Sequence, residues 1–441
     1  MLFQIYDVPT ARARILQRKP IDTLPVPQSL LDNLAQTFGE PLTPAQAVER
    51  ILADVRTRGD SALREWSTKF DDFSPEEFRV PESHLHAALQ SLPEKERAAL
   101  EESARRIEAF HRKQPLTSWL TQELGGTLGQ FIRPIRRVGV YVPGGSAPLP
   151  SSVLMSVIPA RVAGVEQIVV VAPPQRGQNG IAPIILAACA VARVREVYCI
   201  GGAQAIGALA YGTPEIPRVQ KIFGPGNLFV TLAKRHVYGM VGIDGLAGPT
   251  ETVVIADETA RPAWVAADLL AQAEHDPLAS AILLTPSYRL AEAVQHEINR
   301  QIENLPRAQI IAAALQAQGG AVITRDLQEA AELANEYAAE HLCLTVAAPW
   351  LLAEKIENAG GIFLGEHSFE VLGDYIAGPS HVMPTGGSAR FASPLNVWDF
   401  IHIISLVALN QSTAQQLSPL AAQIARAEGL EAHARAADFR A

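Results

Sequence analysis

The chain has 441 residues, enough for about three domains or two large ones. Hydrophobic residues make up 48% and charged residues 19%, the profile of a packed globular protein and not of a disordered one. Lys and Arg number 37 against 46 Asp and Glu, a net charge of −9 with no basic block, which speaks against a nucleic-acid binder.

Up to about residue 130 the sequence reads as helical and charged. Thr43 as N-cap and Pro44 in the first turn open one helix, and a long polar helix is expected from about Pro93 to Arg112. Apolar, β-rich runs follow at Val138–Val142, Gln167–Val171, Glu196–Ile200 and Lys221–Phe223. Helix-like stretches Val153–Ala163, Ile184–Val194 and Ala203–Tyr211 lie between them, the alternation of βαβ units and a parallel sheet. A second series begins near Glu251. Its strand candidates are Thr252–Ala256, Ala281–Thr285, Ala321–Thr324, Cys343–Val346 and Gly361–Leu364. Pro262–Glu274, Leu327–Glu340 and Trp350–Asn358 are its helices. From Gly373 to Pro394 the chain is Gly- and Pro-rich, an ordered loop, and the tail returns to helix through Leu420–Glu431. The fold class is therefore α/β, two parallel-sheet units with helical ends.

Cys189, Cys199 and Cys343 show no CxxC spacing and cannot form a disulfide framework, so a reduced, cytoplasmic protein is expected. The first residues lack a signal-peptide core, and apolar runs such as Ile181–Ala192 fall short of the ~20 residues of a bilayer span. No membrane contact is expected.

Gly-rich turns stand at the ends of three strands: Pro143-Gly-Gly-Ser146, Gly201-Gly-Ala-Gln204 and Gly224-Pro-Gly-Asn227. Such turns let backbone N–H groups meet a phosphate at a helix N-terminus, though each alone is also ordinary βα punctuation. Gln272 and His275, three apart at a helix end, can share an ion or simply form a polar terminus. Glu340 beside His341 pairs a carboxylate with an imidazole, a combination suited to acid–base work near neutral pH. Asp374 and His381 sit in the Gly-rich loop, where capping explains them as well as function does. Glu428 and His433 lie near the end of the sequence, and the remaining histidines, His84 and His86 among them, read as surface residues.

The ordered set Val140–Gly145, Gly202–Ile206, Leu209–Thr213, Gly224–Asn227, Ile243–Glu251, Ala273–His275, Glu340–Leu342, Gly373–Thr385 and Glu428–His433 resembles the histidinol dehydrogenase family. That resemblance implies two incomplete Rossmann-like domains with small terminal elements, intertwined in a homodimer with shared active sites. On this chain it divides into an N-terminal arm over 1–35, a metal- and substrate-binding domain over 36–135 and 245–390, an NAD-binding domain over 136–244, and a C-terminal helical tail over 391–441 reaching the partner subunit. It implies oxidation of L-histidinol to L-histidine through L-histidinal, with two NAD and one zinc per subunit. By motif position the zinc ligands are Gln272, His275, Asp374 and His433, the last donated by the partner subunit. Glu340 and His341 resemble the catalytic acid–base pair. Thr250, His381 and Glu428 join the zinc and catalytic residues in holding substrate, and Tyr141, Gln204 and Asn227 match cofactor positions.

Some positions depart from the family's usual pattern: Leu149 for Tyr, Ser156 for Asn, Thr250 for Ser, Ser380 for Asn and His402 for Lys. Three other readings use the same residues. One is a zinc- and NAD-dependent dehydrogenase of another small polar alcohol. Another oxidises the aldehyde through a thiohemiacetal on Cys343, and the last is a zinc hydrolase that needs no NAD.

Overall fold

The computed structural model describes residues 2–18, 26–144, 148–175, 177 and 180–441. Two six-stranded sheets organise it, together with a three-stranded antiparallel sheet. In the first, the strands run Ile5–Asp7, Gly319–Ile323, Ser280–Thr285, Glu251–Ala256, His341–Thr345, Gly361–Leu364, and every pair is parallel. In the second the order is Arg79–Val80, Glu196–Cys199, Gln167–Ala172, Arg137–Tyr141, Lys221–Phe223, Gly242–Ile243, parallel except at its first strand. The central strands of the first sheet are fully buried, because helices cover both faces, and this is why they read as largely apolar runs.

The two α/β units appear where the alternation placed them, and the ends differ. The segment 1–35, expected as an N-terminal arm, contributes the strand Ile5–Asp7 to the edge of the first sheet. Within 36–135, expected to pack with 245–390, helix Pro44–Arg58 and strand Arg79–Val80 join the second sheet instead. Val48, Ile51, Leu52 and Val55 of helix Pro44–Arg58 form one core with Val169, Val171 and Ile206, and Arg79–Val80 extends that sheet. The apolar stripe of that helix needs a face to bury, and the second sheet supplies it. Thr43 and Gln46 close a capping box at its start.

The tail over 391–441 is not wholly helical. Ile401–Leu409 is a strand, antiparallel to Gly126–Pro134, with Trp119–Thr121 on the far side. Its β-branched residues suit a strand better than a helix. The helical remainder breaks at Gly429, with φ 77°, into Gln411–Ala427 and Glu431–Asp438. Likewise Leu327–Glu340 is a helix only to Tyr337, and Trp350–Asn358 shrinks to Pro349–Ala353. His111, expected at the surface, is fully buried with Nδ1 against Ile107 O at 2.8 Å, while His84 and His86 are exposed. No helix among the described residues is long and apolar enough to cross a membrane.

Candidate active site

Each six-stranded sheet has a point where successive connections leave in opposite directions. In the second sheet it lies between Arg137–Tyr141 and Lys221–Phe223, and in the first between Glu251–Ala256 and His341–Thr345. A cleft joins the two. Pro143, Pro225 and Gly226 line it from the carboxyl edge of the second sheet, the usual ligand side of an open α/β sheet. Thr250, Glu340 and His341 line it from the amino edge of the first, which is not the usual side. Gln272 and His275 enter from the end of helix Pro262–Ala273, Asp374 from helix Glu370–Tyr375, and His381 from the loop beyond.

Strand register explains the proximity. Thr252 sits beside His341, so the residues that open one strand face those that open the next. Thr250 Oγ1 donates to Glu340 Oε2 at 2.5 Å, and the Glu251 N–H donates to the same oxygen at 3.1 Å. His341 Nδ1 faces the Glu251 carbonyl at 3.3 Å, and its Nε2 faces Asp374 Oδ1 at 3.1 Å. His381 Nδ1 lies 2.7 Å from the Asp374 carbonyl oxygen.

Burial pushes the Glu340 carboxyl up to about 7, against the pull of His341 and the Thr250 hydroxyl. For His341 burial acts downward, but Glu370, Glu340 and Asp374 surround it and carry it up to about 10. Burial, the largest single effect, would raise Asp374, but the hydrogen bond with His341 and the nearby charges of His341, His381 and His275 together outweigh it, leaving the carboxyl below its usual value. His275, at the open rim, and His381 are both lowered, mainly by desolvation, which favours neutral imidazoles.

Glu370 is a buried carboxylate that sequence reasoning passed over. Its Oε2 accepts from Thr252 Oγ1 at 2.6 Å, and burial pushes it up to about 8. Glu370 and Asp374, four apart on one short helix, share a face, and that spacing was the available signal. The Gln272 amide lies between Thr250 Oγ1 and Glu370, with its NH2 best placed toward Glu370 and its oxygen toward Thr250.

An amide oxygen, a neutral imidazole and an ionised carboxylate in one cleft fit a divalent cation. Gln272, His275 and Asp374 supply those three groups. Among the described residues, the tightest cluster of histidine and carboxylate donors is His341, Glu370 and Asp374, within 4.8 Å of one another. It shares only Asp374 with the expected ligand set. Glu428 and His433 do not line this cleft. They are exposed, in and beside the turn between the two C-terminal helices.

The expected cofactor residues gather at the carboxyl edge of the second sheet. The Tyr141 hydroxyl accepts from the Gly202 N–H at 3.2 Å, and Asn227 caps helix Leu228–Val237 through Val230 N at 3.1 Å. Gln204 is buried with neither end of its amide partnered among the described residues, which fits a bound group carrying a donor and an acceptor. Gly145 and Ser146 of the first Gly-rich turn lie outside the described residues. Cys343 is buried and its thiol is pushed well above the ordinary value by desolvation and nearby carboxylates, so no thiolate is on hand for a thiohemiacetal.

A family model described as histidinol dehydrogenase matches residues 40–441. The chain belongs to the histidinol dehydrogenase family. It is 53% identical over 433 residues to the histidinol dehydrogenase of Deinococcus radiodurans, covering 98% of both chains. To that of Thermus thermophilus it is 53% identical, covering 90% of this chain and 95% of the relative. The crystal structure of histidinol dehydrogenase from Elizabethkingia anophelis superposes with a TM-score of 0.89 at 35% identity, covering 100% and 98% of the two chains. As a histidinol dehydrogenase family member this chain is an oxidoreductase. Of its unusual positions, Leu149 and Thr250 line the cleft, Ser380 Oγ donates to Met155 O at 3.1 Å, and His402 is exposed. Ser156 is buried with its hydroxyl unpartnered among the described residues.

Proposed function

We propose that this enzyme oxidises L-histidinol to L-histidine through L-histidinal, reducing two NAD, as a cytoplasmic homodimer with one zinc per subunit. The observation that carries the reading is the Glu340–His341 pair, oriented by Thr250 and the Glu251 backbone in the same cleft as Gln272, His275 and Asp374. Gln272, His275 and Asp374, with His433 of the partner subunit, would hold the ion. When bound, it supplies a Lewis-acidic anchor for the imidazole and amine nitrogens of the substrate.

His341 keeps Nδ1 on the Glu251 carbonyl, so Nε2 is the atom that takes the alcohol proton as hydride leaves carbon. Asp374, which now faces His341 Nε2, would be one of the residues holding the ion, and that role would lessen its hold on Nε2 as a base. Glu340, raised to about 7, is poised to take a proton from water as the aldehyde is hydrated, and His341 assists the second hydride loss. Tyr141, Gln204 and Asn227 would contact the nicotinamide cofactor, and Glu428 of the tail would reach the substrate across the dimer. Uncovered apolar side chains support the dimer: Val407 is 70% exposed on the strand and Ile424 63% exposed on the helix that follows.

The test is NADH formation from L-histidinol, before and after metal removal. A ratio of about two NADH per histidinol consumed, lost on chelation and restored by zinc, supports the reading. A ratio of about one points to another alcohol or an escaping aldehyde. Glu340→Gln should harm aldehyde oxidation more than alcohol oxidation, and equal loss in both would end this division of labour.

A further inference from the structure

We propose that Arg18 is a positioning residue for the acid–base pair, a clamp that holds Glu251 against the end of helix Leu327–Tyr337. The inference rests on the reading of Glu340 and His341 given above. Arg18 lies before the first residue of the family match, which begins at residue 40, and it does not line the substrate cleft.

All three nitrogens of its guanidinium are engaged. The two terminal nitrogens meet the Glu251 carboxylate, Nη1 at Oε1 and Nη2 at Oε2, the latter at 2.9 Å. Nε donates to the Tyr337 carbonyl at 2.9 Å, and Nη2 reaches the Ala338 carbonyl at 3.2 Å. The guanidinium carbon stands 3.6 Å above the centre of the Tyr337 ring. A planar fork with five donors can meet both oxygens of a carboxylate and two carbonyls together; an ammonium has only three donors.

The groups it joins flank the catalytic pair on both sides. The Tyr337 and Ala338 carbonyls belong to a helix C-terminus, where such oxygens lack partners within the helix. Ala338 takes a left-handed conformation, φ 52°, to turn the chain toward Glu340 two residues later. Such a conformation in a non-glycine residue persists only when its surroundings enforce it. On the other side, Glu251 supplies the N–H that meets Glu340 Oε2 and the carbonyl that meets His341 Nδ1. Its own carboxylate is fixed by Arg18 and by the Gly386 N–H at 3.0 Å. Glu251 is thus the first residue of a buried strand, and its backbone aims both catalytic side chains while its side chain is held from behind.

Removing Arg18 leaves the strand ladder on both sides of Glu251–Ala256 intact. What loosens is the end of the strand and the turn at Ala338, and with them the aim of Glu340 and His341. Misplacement of reacting groups by about 1 Å can cost on the order of a hundredfold in rate.

The experiment compares Arg18→Ala, Arg18→Lys, Glu251→Gln and the double variant Arg18→Ala/Glu251→Gln in the zinc-loaded enzyme. For each, kcat and KM for histidinol, bound zinc and melting temperature are measured. Arg18→Ala is expected to lower kcat per bound zinc by about ten- to a hundredfold, with KM changed by no more than about twofold. The double variant should lose no more than the worse single one, because both act through one contact. Arg18→Lys should fall between parent and Arg18→Ala, and it carries the test alone if Arg18→Ala does not accumulate: a kcat equal to the parent's would then overturn the proposal. So would an unchanged kcat per bound zinc in Arg18→Ala, or losses that multiply in the double variant. Glu340→Gln is run beside them. If it keeps parental turnover, the acid–base reading fails and the clamp with it; if it loses turnover while Arg18→Ala does not, the clamp alone fails.

Discussion

The Thr250 hydroxyl and the Glu340 carboxylate are joined by a 2.5 Å hydrogen bond at the amino edge of the first sheet. Thr250 precedes strand Glu251–Ala256 and Glu340 precedes His341–Thr345, so the bond ties the entrances of two neighbouring strands. It also sets which Glu340 oxygen remains free to face the cleft. Thr250→Val keeps the shape and removes the donor. A hydrogen bond to an ionised group contributes about 1.5–3 kcal/mol, so histidinal oxidation should slow by about ten- to a hundredfold. Thr250→Ser keeps the hydroxyl and should stay within about threefold of the parent. A Val variant as fast as the Ser variant would remove Thr250 from the catalytic arrangement.

Asp268 makes a prediction about pH. It sits part-buried on helix Pro262–Ala273 with no hydrogen-bond or ionic partner among the described residues, and desolvation raises its carboxyl from 3.8 to about 6. The folded state therefore holds its proton more tightly than the unfolded chain does. That contribution to stability is fully present below pH 3.8 and is lost as pH rises through about 6. Above that window the ionised carboxylate is a cost, which Asp268→Asn removes. The variant should be more stable than the parent at pH 8 by about 1–3 kcal/mol, with the difference vanishing near pH 4. Urea unfolding at the two pH values checks it; a gap that is the same at both would show that ionisation is not the cause.

Gly224 is confined by its neighbour rather than by its own turn alone. At φ 101°, a Cβ there would stand 2.1 Å from the Tyr141 carbonyl oxygen. Gly224→Ala combines backbone strain with a clash against a buried strand, and about 3 kcal/mol or more of stability should be lost. Denaturant midpoints of parent and variant measure it directly. An unchanged midpoint would falsify the claim that this turn tolerates only glycine.

Much of the scaffold was legible because buried parallel strands are short apolar runs between helices. Lys221–Phe223 and Gly361–Leu364 appear with the bounds expected of them. The antiparallel sheet was not legible, since Pro134 pairs with Ile401 across a long separation and the strand's outward residues are apolar too. Alternation between polar and apolar residues, the usual mark of a half-buried strand, is absent there. In the cleft, Thr250, Gln272, His275, Glu340, His341, Asp374 and His381 were all named from sequence and all line it. Glu370 and Arg18 were not named. A glutamate in a short helix and an arginine near the start of the chain look solvated until Thr252 and Glu251 are brought against them by strand pairing.

The exposure of His433 leads to the last prediction. In the single chain it lies on helix Glu431–Asp438, outside the cleft that holds Gln272, His275 and Asp374. If it completes the metal site, it does so in the other subunit, and each site then draws on two chains. Mixing inactive His433→Ala chains with inactive Gln272→Ala chains tests this. In a mixed dimer, one site combines both defects and the other has neither. Random exchange makes about half of the dimers mixed, each with one intact site, so about a quarter of parental activity should return. Zinc content should rise in step with it. No recovery after verified subunit exchange would mean that His433 serves its own chain or none, and the shared site would have to be abandoned.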